Sequence, residues 1–113
     1  VTFKLNDGVS REDFIAAAKE MSPWVESRPG FLHRRLSCTE DGTWIEHIQW
    51  ADMASAKAAA AEIGSAASNA NALSAINGPT VQLMHSELEV GIPNLVESDV
   101  ELHLQGLPIR HVS

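Results

Sequence analysis

The clearest alternation of apolar and polar positions lies in residues 29–50 and predicts two strands joined by a tight turn. Phe31–Cys38 and Thr43–Trp50 alternate with the period of two that is typical of strands. The intervening Glu40-Asp41-Gly42 is a three-residue turn that pairs Thr39 with Thr43. This register places one set of side chains on a first face: Leu32, Arg34, Leu36, Cys38, Trp44, Glu46, Ile48 and Trp50. The second face carries Phe31, His33, Arg35, Ser37, Ile45, His47 and Gln49.

The two faces of this hairpin differ in character. The first face is mostly apolar, so we expect it to form a wall of the core. The second face is polar, but Phe31 and Ile45 make it more apolar than a surface that faces only water. We therefore expect helices on one side of the sheet and a partner sheet on the other.

The segment before the hairpin predicts a strand and a helix. Val1–Leu5 alternates as a half-buried strand, and Ser10 resembles the first residue of a capping box. The helix that follows has a buried stripe at helical spacing, formed by Phe14, Ala18, Met21 and Val25. Because Pro23 lacks an N–H, we expect this helix to kink there or to restart with Ser22 as a new cap.

The segment after the hairpin predicts an Ala-rich helical region and a fourth strand. Asp52 is the expected N-cap of a helix that runs to about Ile63, and a second piece follows over Ala66–Ile76. The small Ala side chains leave room for a cavity between helix and sheet. Thr80–Val90 alternates as a strand, with a bend near His85-Ser86 where its apolar face switches.

The order of these elements is β-α-β-β-α-β, which predicts an α+β, ferredoxin-like domain with an antiparallel sheet over residues 1–90. Residues 91–113 form a C-terminal extension, in which Val100, Leu102 and Leu104 alternate with polar residues. A single terminal strand is not stable alone, so we predict that Val100–Leu104 adds to a sheet edge across a dimer.

Composition and charge narrow the classes of function. The chain has 113 residues and a net charge of −7, and no Lys or Arg lies between Lys57 and Arg110. Without a basic stripe, we expect neither nucleic acid nor an anionic membrane as a partner. Cys38 is the only cysteine, which predicts a buried free thiol in a reducing compartment. No apolar run approaches the roughly 20 residues of a membrane span and no signal segment is visible, so we expect a soluble, cytoplasmic protein.

Four features together resemble a known family. Residues 29–36 read Pro-Gly-Phe-Leu-His-Arg-Arg-Leu, the Glu-Asp-Gly turn follows, residues 44–50 read Trp-Ile-Glu-His-Ile-Gln-Trp, and an Ala-rich helix comes next. Over residues 1–90 the chain is similar to the dimeric α+β barrel proteins of the antibiotic-biosynthesis-monooxygenase-like group. The resemblance implies a homodimer in which two sheets meet face to face. The interface residues expected from the outer face are Phe31, His33, Ile45 and His47, and the predicted terminal strand adds Val100, Leu102 and Leu104.

The same resemblance implies a cofactor-independent monooxygenase that acts on an aromatic or polycyclic small molecule. The substrate-binding residues would then be Trp44, Trp50, Arg34 and Glu46, with His85 as the catalytic general base. The family's haem-degrading members use a His on the second helix, and no His lies between Ala51 and Met84 here, so we expect no cofactor. The alternative is a non-catalytic dimeric domain that binds a ligand or serves a stress response.

Each of the polar candidates also has a purely structural interpretation. Arg34 and Glu46 share the core-facing side of adjacent strands, where they form either a structural ion pair or an anchor for a ligand carbonyl or phenol. His85 is either a structural histidine or a general base. His33 and His47 are diagonal neighbours without further ligands, so we expect no metal site there.

Overall fold

The computed structural model describes residues 1–93, and the predicted strand Val100–Leu104 lies outside them. In chain order the elements are β1 (Thr2–Phe3), α1 (Arg11–Glu20), α2 (Ser22–Glu26), β2 (Phe31–Cys38), β3 (Trp44–Trp50), α3 (Met53–Glu62) and α4 (Ala70–Ala75). Short 3-10 turns lie at Ile63–Ser65, Ala67–Asn69 and Gly78–Thr80. The fold is therefore a mixed α+β arrangement, as the order of patterns predicts.

The described sheet is antiparallel and has three strands in the order β1-β3-β2. The backbone N–H of Thr39 donates to the carbonyl of Thr43 at 2.8 Å, and Gly42 has the left-handed φ of +84°. Cys38 pairs with Trp44 across the turn. The predicted turn and the register next to it are thus confirmed, because only a loop of this length brings these residues opposite one another.

The far end of the hairpin departs from strict alternation. A β-bulge between Phe31 and His33 shifts the register, so that Phe31 pairs with Trp50. The two rings meet edge to face with centroids 5.9 Å apart, and both pack against the core cluster. The prediction that Phe31 lies on the outer face is therefore wrong, since one extra residue in β2 moves its ring to the core side. Its role at a dimer interface stays a prediction.

The core forms where α1 packs on the first face of the sheet. Phe14 is 3% exposed and makes edge-to-face contacts with Phe3, at 5.6 Å, and with Trp44, at 4.8 Å. The predicted stripe of α1 and α2 is confirmed, because Ala18, Met21 and Val25 are all buried with Phe14. Aromatic pairs of this kind contribute roughly 0.5–1.5 kcal/mol beyond the area that they bury.

The helix caps follow the sequence at two of the three predicted positions. The N–H of Asp13 donates to Ser10 Oγ at 3.0 Å, and the N–H of Ser55 donates to Asp52 Oδ1 at 2.7 Å, so both caps are confirmed. The helix restarts next to Pro23 as expected, but α2 begins one residue earlier, at Ser22, so its cap residue is Met21 and no side chain caps it. Ser22 is the first residue of α2 and uses its hydroxyl elsewhere.

The predicted fourth strand Thr80–Val90 is reduced to one antiparallel bridge between Thr2 and Gln82. Each of these residues donates its N–H to the other's carbonyl at 2.9 Å. Because β1 spans only Thr2–Phe3, it offers the segment after Gln82 no longer partner to pair with. Residues 83–90 are exposed instead, and residues 83–89 line a cavity together with the second half of β3.

Candidate functional site

A cavity of about 660 Å³ opens between α3, the second half of β3 and residues 83–89. The helix contributes Met53, Ala56 and Ala60, and Ile63 at the start of the following 3-10 turn continues their helical spacing along the same face. Since two of these four side chains are only methyl groups, the helix cannot fill the space above the sheet. The room that the Ala-rich pattern predicted is therefore present.

The sheet side of the cavity combines one large aromatic residue with one carboxylate. Trp50 and Ile48 provide apolar surface, and Glu46 lies two residues further along the same face of β3. The remaining wall comes from Trp24 on α2 and from the extended segment that contains Leu83. A flat apolar molecule with one polar group matches this combination of surfaces.

Glu46 is held by Arg34 in a nearly buried ion pair. Arg34 Nε donates to Glu46 Oε1 at 2.9 Å, Arg34 Nη2 lies 2.8 Å from the same oxygen, and the two side chains are only 14% and 13% exposed. Arg34 Nη1 donates to the Ala18 carbonyl at 2.8 Å and to Ser22 Oγ at 3.1 Å. One guanidinium therefore joins β2, β3 and the α1–α2 junction, which supports the structural interpretation of this pair.

The second carboxylate oxygen of the same residue is different. Glu46 Oε2 is buried and has no hydrogen-bond partner among residues 1–93. Burial raises the pKa of the Glu46 carboxyl, and the hydrogen bond and positive charge of Arg34 oppose that rise without cancelling it. A carboxyl with a raised pKa is a stronger base than an ordinary Glu side chain.

The structure separates the predicted substrate-binding residues. Trp50 and Glu46 line the cavity, whereas Arg34 lies behind Glu46 and lines a smaller cavity of about 290 Å³ with Ser22 and His33. Trp44 is 4% exposed and belongs to the core, where Phe14 covers its ring. Alternation places Trp44 and Trp50 on the same face of β3. Phe14 of α1 covers Trp44, whereas Trp50 lines the cavity.

The two histidines nearest the cavity lie on different walls. His85 lines the cavity from the extended segment and is exposed, and His47 lines it from β3. The interface role predicted for His47 stays untested, as does the catalytic role predicted for His85. Alternation along β3 gave no reason to expect His47 here, because it and Glu46 point to opposite faces. Residues 83–89 line the same cavity as Glu46 and His47, which alternate along β3.

Several residues of the site were not predicted from the sequence. Met53 and Trp24 line the cavity, and the helical spacing of Met53 with Ala56 was the signal that marked that face of α3. No comparable signal marked Trp24, whose position depends on the restart of the helix at Pro23.

Cysteine and the other metal-binding side chains do not form a cluster in the described part of the chain. Within residues 1–93, no three His, Cys, Asp or Glu side chains come together in a way that could hold a metal ion.

Cys38 is a free thiol that is half-buried rather than fully buried, because it lies at the end of β2 beside the turn. Its Sγ is 3.5 Å from the Thr39 carbonyl.

The fold and the cavity define a small α+β protein with an apolar pocket on the core side of an antiparallel sheet. Comparison with family models, with curated proteins and with solved structures gives no match for this chain. Among the helices of residues 1–93, none has the length and apolar character needed to cross a membrane.

Proposed function

We propose that this protein binds a planar aromatic small molecule in the cavity beside Trp50. The observation that carries this proposal is the cavity itself, whose volume of about 660 Å³ lies within the range of small-molecule sites, roughly 300–1,000 Å³. Trp50 offers a ring face or edge for stacking, and the short side chains of α3 leave a gap above it. Four acidic residues also line the cavity and give it a polar part that can fix the orientation of the ligand: Glu46, Asp52, Glu87 and Glu89.

The subunit that holds this cavity is, in our proposal, a ferredoxin-like domain. Gln82 lies beside β1, β1 beside β3, and β3 beside β2. This neighbour order is that of a split βαβ arrangement, in which the last strand returns next to the first. The bridge at Gln82 supports the assignment, although the fourth strand consists of that bridge alone.

The working assembly in this proposal is a homodimer of the α+β barrel type. Ile45 on the outer face of β3 is 39% exposed, and the segment on both sides of the bridge residue Gln82 exposes large apolar side chains. These are Val81, Leu83, Met84, Leu88, Val90 and Ile92. A second copy of the chain would cover such surface, which a monomer rarely leaves open. The free Cys38 thiol is consistent with a cytoplasmic location for this dimer.

The chemistry that we assign to the site is cofactor-independent oxygenation, and the presence of Glu46, whose pKa is raised by burial, and of His85 in the cavity lining supports it. Glu46 or His85 removes a proton from a polycyclic phenol or its ring-methylene ketone tautomer, and the resulting anion reduces O₂. Overall, a ring CH₂ and O₂ become a ring C=O and water. The four electrons that the substrate loses are the four that oxygen gains, so no other reductant is needed.

Two measurements test the proposal at its two levels. A thermal-shift screen with fused-ring phenols should raise the melting temperature of the protein, because a ligand that binds only the folded state stabilises it. An oxygen electrode with polycyclic quinols should then record uptake that depends on the protein. Stabilisation without oxygen uptake would leave a non-catalytic ligand-binding or stress-responsive domain, and no stabilisation by any fused ring would contradict the binding proposal itself.

A further inference from the structure

The charged side chains that line the large cavity are mostly acidic, and within residues 1–93 no Lys or Arg contributes to that lining. The acidic residues are Glu46, Asp52, Glu87 and Glu89. The basic groups of the lining are His47, His85 and the amino group of Val1, which donates to the Glu46 carbonyl at 2.8 Å. A molecule in the cavity therefore meets an excess of carboxylates.

Two of these carboxylates are already engaged, and two are not. Glu46 is paired with Arg34, and Asp52 caps the first turn of α3. Glu87 and Glu89 are exposed, and in the described part of the chain no Lys or Arg forms an ion pair with either of them. An exposed charge acts through space over about 8 Å at physiological salt, so these two carboxylates need no direct contact with a ligand to attract a positive charge.

The same carboxylates are not arranged to hold a metal ion. Among the side chains that the structure describes, no group of three His, Cys, Asp or Glu could bind one. The rest of the lining is largely apolar and includes Trp50, Met53 and Leu88. A cation that fits this lining must therefore bring apolar surface of its own, and an indole ring such as that of Trp50 attracts a cation that lies over its face.

We propose that the aromatic molecule bound beside Trp50 is an organic cation, such as a fused ring with a quaternary or protonated nitrogen, and that Glu87 and Glu89 select it over neutral and anionic rings. This inference rests on the proposed function, because it assumes that an aromatic molecule occupies the cavity. It also fits the proposed chemistry. A phenol that loses its proton becomes an anion, which nearby carboxylates destabilise, and a positive charge on the same molecule offsets that effect.

The test compares three probes that share a two-ring skeleton and differ in charge: 1-methylquinolinium, 1-methylnaphthalene and 1-naphthoate. Their dissociation constants are obtained by NMR at about 20 mM salt, from the shift of the Trp50 indole N–H signal. The variant is the double substitution Glu87→Gln with Glu89→Gln. The matched control is Glu12→Gln with Glu40→Gln, which removes the same charge from two exposed positions outside the cavity lining.

We expect the affinity for 1-methylquinolinium, relative to that for 1-methylnaphthalene, to fall about fivefold when Glu87 and Glu89 are replaced. The relative affinity for 1-naphthoate should rise, because the charges that repel it are gone. Differences between the probes in transfer from water cancel when each ratio is divided by that of the wild-type protein. The control variant should keep both ratios, and about 500 mM salt should weaken the binding of the cation to the wild-type protein and strengthen that of the anion.

The possible outcomes separate this inference from the proposed function. If no probe binds the wild-type protein, the aromatic pocket is contradicted and the inference falls with it. If 1-methylnaphthalene binds and the ratios are the same in the variant and the wild type, the pocket stands and the selection of a cation is refuted. A change of all three affinities in the same direction would also refute it, since selection by charge moves those of the cation and the anion in opposite directions. Should the variant fail to fold, the salt dependence of the wild-type protein still decides.

Discussion

Replacement of Arg34 by Met should be among the most damaging single substitutions in this protein. Arg34 is the counter-ion of a carboxylate that is only 13% exposed, and it also donates to the Ala18 carbonyl and to Ser22 Oγ. The Met side chain fills similar volume but leaves the negative charge of Glu46 unpaired. Removal of one partner of a buried ion pair typically lowers the free energy of unfolding by about 3–5 kcal/mol.

The assay is urea denaturation followed by circular dichroism, with Arg28→Met as the matched control. Arg28 forms an ion pair with Glu62, whose side chain is 57% exposed, and its guanidinium lies 4.7 Å from the centre of the Trp24 ring. These exposed contacts predict a loss of only about 1–2 kcal/mol. The double variant Arg34→Met with Glu46→Leu should recover most of the stability that Arg34→Met loses, since it removes the unpaired charge. A loss below about 1 kcal/mol for Arg34→Met would refute the description of Glu46 as a buried charge.

Three further predictions follow from the site and the tail. Burial raises the pKa of Glu46 above the ordinary value of 4.5, so the stabilisation linked to its protonation is complete below that value and is lost as pH rises. Urea denaturation should show that the stability of the wild-type protein relative to Glu46→Gln falls as the pH is raised above the ordinary pKa of 4.5; a constant or rising difference would contradict the shift. Ala56→Leu should fill the cavity and abolish the thermal shift with fused-ring phenols, whereas Ala54→Leu, at an exposed position of the same helix, should keep it. Truncation after Val90 should lower the melting temperature and give monomer or aggregate in light scattering, and an equally stable dimer would show that residues 91–113 are dispensable.

The parts of the fold that the sequence predicts are those set by local rules. The turn at Gly42 fixes the hairpin register, and helical spacing identifies the buried stripe that contains Phe14. The pairing of Arg34 with Glu46 also follows from alternation, because residues on one face of adjacent strands are neighbours.

The parts that the sequence does not predict depend on contacts between distant segments. The alternation of β2 does not reveal the bulge near Phe31. The bulge places the Phe31 ring against Trp50, a contact between two strands that the pattern of one strand cannot predict. The fourth strand was expected because Thr80–Val90 alternates. A strand also requires a partner, and only Thr2 of β1 pairs with this segment, at Gln82. For the same reason the sequence did not predict that residues 83–89 line the cavity. They do so because they are not paired in the sheet.

The most direct test of the account is a crystal structure of the protein with 2-naphthol. The account predicts the naphthalene ring in the cavity between Trp50 and α3, with Arg34 still bound to Glu46 Oε1. A ring bound elsewhere on the protein would contradict the assignment of this cavity as the binding site. An empty cavity at saturating ligand would contradict the account of the site as a whole.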